Sequence, residues 1–149
     1  MSLNKEWLMN TLSLIRTSLF SLSLACCNLA MAQVKVVYHI NEGVAQAHRA
    51  MGNIRNHLAA DPTAKITVVT HGPGIDFLLD GATNPNGESF VGSIGDLASK
   101  GVEFKVCNNT LVTRKIAKDR VVLEASVVPS GVAEVALLQA RSGFVYLRP

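Results

Sequence analysis

Two stretches, "VKVVYHI" (Val34–Ile40) and "KITVVTH" (Lys65–His71), are almost continuously apolar and β-branched. A strand with one wet face alternates apolar and polar residues. A nearly unbroken apolar run instead predicts a strand covered on both faces, as in a parallel sheet. The chain between the two runs supports this. In "NEGVAQAHRAMGNIRNHLAA" the residues Val44, Ala47, Met51, Ile54 and Leu58 recur at helical spacing, and Asp61-Pro62 ends the segment. Strand, helix and strand in succession form a βαβ unit, whose right-handed crossover joins parallel strands.

The pattern continues to the C-terminus. "GPGIDFLLDGATNPNGESF" is punctuated by Gly and Pro, with one helical turn expected at Ile75 to Leu79. A helix through "FVGSIGDLASKG" is closed by Gly101, and "VEFKV" is a third strand. Asn108 or Asn109 is placed to cap a helix "TLVTRKIAK", and "LEASVV" is a weaker strand ended by Pro129. Ser130 caps "GVAEVALLQARS", Gly143 stops it, and "FVYLRP" forms a last strand. Five strands alternating with helices predict an α/β protein. The expected form is a flavodoxin-like, mainly parallel five-stranded sheet in the order 2-1-3-4-5, with helices on both faces. Phe144 and Tyr146 then share one side of the terminal strand, as an interface stripe or beneath a helix.

The first 32 residues read differently. Lys5 and Arg16 precede the apolar run "SLFSLSLACCNLA", which ends in Ala30-Met31-Ala32. This is a charged region, an apolar region and a small-residue cleavage site, hence a signal peptide cleaved after Ala32 and a periplasmic protein. An uncleaved anchor and a lipoprotein attached through Cys26 or Cys27 are the competing readings. Residues 33–149 form a single domain, with 12 basic against 10 acidic side chains. The basic residues are scattered rather than striped, which speaks against a nucleic-acid surface. After cleavage no membrane attachment is expected.

Cleavage also removes two of the three cysteines and leaves Cys107 alone. An odd cysteine in an oxidising compartment points to intermolecular pairing or a reactive thiol. It also fits a small packed hydrophobe. Its position favours chemistry. In a doubly wound sheet, ligands sit outside the carboxyl ends of the strands, and those ends carry His39, His71 and Cys107. The expected order makes the first and third strands neighbours. A helix starting near Asn109 puts the thiol beside N-terminal amides, which lower its pKa and raise its thiolate fraction. Asn108, Asn109, Thr110 and Gly72 are the expected binding residues around it. Arg114 and Lys115, more than a turn downstream, are expected to point elsewhere.

His71 and His39 are candidates for a proton shuttle, set against plain strand-end and turn roles. His48 and His57 read as helix surface, and Glu42, Asp76 and Asp80 as surface charges. One cysteine with two histidines resembles a metal set, but local ligand spacing is absent and no metal is expected. "HGPG" lacks the Lys-Ser/Thr of a phosphate loop, and no G-x-G-x-x-G follows the first strand. No cofactor is expected.

With these residues in place, the chain resembles the DsrE/DsrF-like family. Three segments carry the likeness: "VKVVYHINEGVAQAHRAMGNIRNHL", "GVEFKVCNNTL" and "VVPSGVAEVALLQARSGFVYLRP". Together with "ITVVTHGPGIDFLL" they span nearly all of residues 33–149. The resemblance implies an α/β fold assembled as a homotrimer or homohexamer. It also implies a sulfur-handling role, with Cys107 at the position of the persulfide-carrying cysteine. The expected function is a periplasmic sulfur carrier or sulfurtransferase with unspecified sulfur donors and acceptors. The alternative is a non-catalytic oligomeric scaffold or small-ligand or metal-binding module in which Cys107 only packs. Export is a departure, because familiar sulfur-relay members work in the cytoplasm.

Overall fold

A computed structural model of the protein describes residues 33–149, so the expected signal peptide lies outside the described residues. Strand β1 (Lys35–Ile40) pairs in parallel with β2 (Lys65–Thr70) along its whole length. Between them α1 (Val44–Ala60) buries Ala47, Ala50, Met51 and Ile54, with Val44 and Leu58 half-buried at the ends of the same stripe. A 3₁₀ helix, Gly72–Leu78, begins directly after β2 and is longer than the single turn expected there. The chain continues through α2 (Val91–Ser99), β3 (Glu103–Cys107), α3 (Asn108–Thr113), β4 (Ala125–Val128), α4 (Gly131–Ser142) and β5 (Val145–Leu147). Local chemistry sets several boundaries. The Ser130 hydroxyl accepts the Ala133 N–H at 3.3 Å, and Gly101 and Gly143 end α2 and α4 with φ of 87° and 69°.

Helix α3 differs from its expected form. It begins at Asn108 with Cys107 as its N-cap residue, and it stops at Thr113. Lys115 then adopts φ 55°, a left-handed conformation that the apolar spacing of "TLVTRKIAK" does not reveal.

All five strands are parallel, as the α/β reading requires, but their order is 4-3-2-1-5. The expected order 2-1-3-4-5 is therefore corrected: β1 lies between β2 and β5, and β3 lies between β2 and β4. The reason is the direction in which successive crossovers step. From β1 to β4 each connection moves to the next strand on the same side. Right-handed crossovers stepping one way lay their helices on one face. The last connection steps back across the sheet to the far edge, which carries α4 to the opposite face.

The two cores record this asymmetry. On the first face Val36, Tyr38, Ile40, Val68, Phe104 and Val106 meet residues of α1, α2, α3 and the 3₁₀ helix. On the second face Val37 and Val69 form, among the described residues, a small cluster with Val135, Leu138 and Phe144. Each such side chain contributes about 1.5–3 kcal/mol when fully buried. Beyond this small cluster the second face turns polar: Lys105 Nζ lies 2.5 Å from Glu134 Oε1, and Lys65 Nζ lies 3.4 Å from Glu103 Oε1. The two terminal aromatic residues differ in environment. Phe144 is buried with α4, whereas Tyr146 is 41% exposed and its hydroxyl sits 2.9 Å from His39 Nδ1.

Two glycines permit close approach of backbone to backbone. A Cβ on Gly74 would lie 2.1 Å from the Ile40 carbonyl oxygen, and one on Gly131 would lie 2.8 Å from that of Thr70. Neither contact involves a flexible side-chain end that can move aside. Gly131→Ala is expected to lower stability by about 1–3 kcal/mol, and Gly74→Ala by more. Gly52→Ala in α1, where no atom lies within 4 Å of the new Cβ, is expected to be neutral or stabilising. Urea unfolding midpoints of the three variants test this ranking.

Candidate functional site

In an open parallel sheet, a crevice forms where neighbouring strands send their helices to opposite faces. Here that point lies between β3 and β4. Cys107 and Val128 are paired at the carboxyl ends of these strands. From Cys107, α3 departs toward the first face, where Leu111 packs; from Ser130, α4 departs toward the second, where Val135 and Leu138 pack. Cys107 therefore sits at the foot of the crevice and is only 4% exposed.

Two helix starts converge on its sulfur. The N–H groups of Gly131 and Thr110 and the Thr110 hydroxyl lie close enough to Sγ to favour its charged form. The Asn109 N–H, which donates to the Pro129 carbonyl at 3.3 Å, adds a smaller effect of the same sign. The Thr110 oxygen in turn accepts the Gly72 N–H at 2.9 Å, so a donor chain runs from the start of the 3₁₀ helix to the thiol. Burial pushes the Cys107 thiol up. The amide of Gly131, then the groups of Thr110 and Asn109, outweigh it, and the net shift is downward. Hydrogen bonds to the charged form favour the thiolate. The absence of a side chain at Gly131 permits this arrangement: a Cβ there would lie 3.2 Å from both the Cys107 and His71 Cβ atoms.

A cleft of about 340 Å³ opens above the sulfur. Of the expected site residues, His71, Gly72, Cys107, Asn109 and Thr110 line it. His39 and Asn108 do not. With β2 rather than β1 beside β3, His71 is the imidazole next to Cys107, and the expected β1–β3 adjacency is absent. His39 stands behind it, its ring centroid 4.8 Å from that of His71 and tilted by 33°. Burial holds both imidazoles below the usual histidine range; for His39 the neighbouring His71 and Arg148 push further the same way. At neutral pH both are uncharged and able to accept a proton. Asn108 opens α3 with its Oδ1 buried and lacking a partner among the described residues.

Thr113, Arg114, Ser130 and Val132 complete the lining, and none of them is expected there from the sequence. Arg114, expected to point elsewhere, turns back to the cleft: its Nη1 lies 2.5 Å from Asp76 Oδ1 and 3.3 Å from the Gly72 carbonyl oxygen. Asp76 is thus an ion-pair partner rather than an isolated surface charge. Lys115 does face away, lining a separate depression with Leu79 and Arg120. Glu42 pairs with Arg148, and His57 on α1 accepts or donates a hydrogen bond at 3.0 Å with Tyr38. Among the described residues no group of three or more His, Cys, Asp or Glu side chains is placed to hold a metal ion. The arrangement is suited to holding a sulfur anion at the foot of a small open cleft, beside a neutral imidazole.

Comparison with known proteins agrees with the fold. No curated protein matches the chain. A solved structure of a protein of unknown function from Methanobacterium thermoautotrophicum aligns with a TM-score of 0.70 at 28% identity, covering 78% of this chain and all of that one. The ychN protein of E. coli aligns with a TM-score of 0.62 at 14% identity and the same 78% coverage, a likeness of fold alone. Residues 34–147, which include every element of the sheet and the whole cleft, match the DsrE/DsrF-like family. The chain belongs to the DsrE/DsrF-like family.

Proposed function

We propose that the protein is an exported sulfur carrier in which Cys107 accepts a sulfane sulfur and passes it on as a persulfide. The observation that carries this reading is the convergence of donors from two helix starts on a thiol at the foot of an accessible cleft. A cysteine that merely packed would gain nothing from the polar groups of two helix starts gathered around its sulfur. A nucleophile gains thiolate at neutral pH, and a persulfide anion gains the same charge stabilisation.

The cycle is thiol exchange. The Cys107 thiolate attacks the terminal sulfur of a donor R–S–S⁻. A new S–S bond forms at Sγ, the donor S–S bond breaks, and its electron pair leaves on R–S⁻. An acceptor thiolate then attacks the outer sulfur of Cys107 and regenerates the Cys107 thiolate. Protons carried by donor or acceptor thiols have an uncharged acceptor in His71, on the wall of the same cleft. Export with cleavage after Ala32, and assembly into a homotrimer or homohexamer, are part of the proposal.

Exposure of the protein lacking residues 1–32 to polysulfide is expected to add one sulfur atom to Cys107 by mass spectrometry. The adduct should be released by an acceptor thiol and absent from Cys107→Ser. A folded protein that acquires no adduct, with a thiol closed to small alkylating reagents, would leave Cys107 a packing residue. Protein released from the periplasm is expected to begin at Gln33 and to give a trimeric or hexameric mass by light scattering. A retained N-terminal segment contradicts the cleavage, and a monomeric mass contradicts the assembly.

A further inference from the structure

The wall of the Cys107 cleft carries one permanently charged side chain, Arg114, and no carboxylate among its lining residues. Both hydrogen bonds of Arg114 use Nη1, to Asp76 and to the Gly72 carbonyl. These contacts tie the guanidinium to the 3₁₀ helix. Its Nε and Nη2 make no hydrogen bond among the described residues, and the side chain is 38% exposed. An Nε–Nη2 edge presents two parallel N–H donors, the geometry that matches two oxygens of one oxyanion. The hydroxyl of Ser130 lines the same wall and accepts from the Ala133 N–H, which leaves its own proton to donate.

Building on the sulfur-carrier reading, we propose that Arg114 selects the donor, and that the donor is a small sulfane-sulfur oxyanion of the thiosulfate type. Its sulfonate rests on the guanidinium edge while its outer sulfur faces Cys107 Sγ. The charge balance makes a cation necessary. A thiolate must be approached by a dianion. Arg114, though paired through Nη1 with Asp76, is the one cationic side chain among the cleft's lining residues and keeps its Nε–Nη2 edge for that anion. In the step, the Cys107 thiolate forms a bond to the outer sulfur of S–SO₃²⁻. The bond from that sulfur to the sulfonate sulfur breaks, and its electron pair departs with sulfite, SO₃²⁻. Cys107 is left as the persulfide anion. Total charge is conserved, and no external oxidant or reductant enters.

The test compares two alkylating reagents of similar size, anionic iodoacetate and neutral iodoacetamide, on the protein lacking residues 1–32. Relative to wild type, Arg114→Gln is expected to lower the iodoacetate-to-iodoacetamide rate ratio at Cys107 about tenfold, the scale of one lost charged hydrogen-bonded contact. The iodoacetamide rate itself should stay within about twofold, showing an intact thiol site, and Arg114→Lys should restore part of the ratio. Sulfur loading from thiosulfate, with release of sulfite, should fall in parallel, whereas loading from zwitterionic cysteamine persulfide, which carries no oxyanion and no net charge, should not. An unchanged alkylation ratio overturns the inference. Loading from glutathione persulfide or cysteamine persulfide but not from thiosulfate overturns the assignment of donor and leaves the carrier reading intact. A ratio that falls as expected while no donor loads Cys107 sinks the carrier reading and the donor assignment with it.

Discussion

The chemistry of this protein depends on how closely the start of α4 approaches the ends of β2 and β3. Gly131 lies where any larger residue would press on the Thr70 carbonyl and on the Cβ atoms of His71 and Cys107. That proximity brings the Gly131 N–H to Sγ, and this is the largest of the contributions that lower the thiol pKa. The approach is held from behind. Val135 and Leu138 pack on Val37 and Val69, and the Lys105–Glu134 pair, each side chain 19% exposed, ties the first turn of α4 to β3. A half-buried pair of this kind, with one partner removed, leaves an uncompensated charge against the sheet. The thiol site and the thin second core are therefore one construction.

Topology explains why the cleft lies at Cys107. Three connections stepping in one direction stack their helices on one face, and the single return step puts α4 on the other. The helices diverge only at the β3–β4 boundary, and Cys107 is the residue at that boundary on β3. The same return step leaves most of the second face to polar side chains and to Tyr146. An all-parallel sheet with one face so thinly covered by the described residues is unusual for an isolated domain. This is consistent with the proposed self-association.

Much of this is legible in residues that act locally. Continuous β-branched runs at Val34–Ile40 and Lys65–His71 declare buried parallel strands, and Cys107, Gly72, Asn109 and Thr110 follow strand ends directly. What the sequence hides depends on distant parts of the chain. A strand apolar on both faces carries no sign of which neighbour it takes. The expected strand order, and with it the placing of His39 beside Cys107, fails for that reason. Gly131 and Ser130 stand out in "VVPSGVAEV" as a helix cap, but their contact with the thiol exists only once β3 and β4 are adjacent. On apolar spacing alone, Arg114 belongs to a long helix and lies too far along it to reach the thiol. Because α3 ends after six residues, the side chain reaches Asp76 and Gly72 at the cleft instead.

The central claim is that these converging donors lower the pKa of Cys107 and raise its thiolate fraction. The direct measurement is the rate of iodoacetamide alkylation of Cys107 as a function of pH, with the urea-unfolded protein as reference. The account predicts a midpoint below the ~8.5 of an unperturbed cysteine, with the rate already level where the unfolded thiol is still titrating. A midpoint at or above that of the unfolded chain would mean that burial outweighs the amides of Gly131, Thr110 and Asn109, and would contradict it.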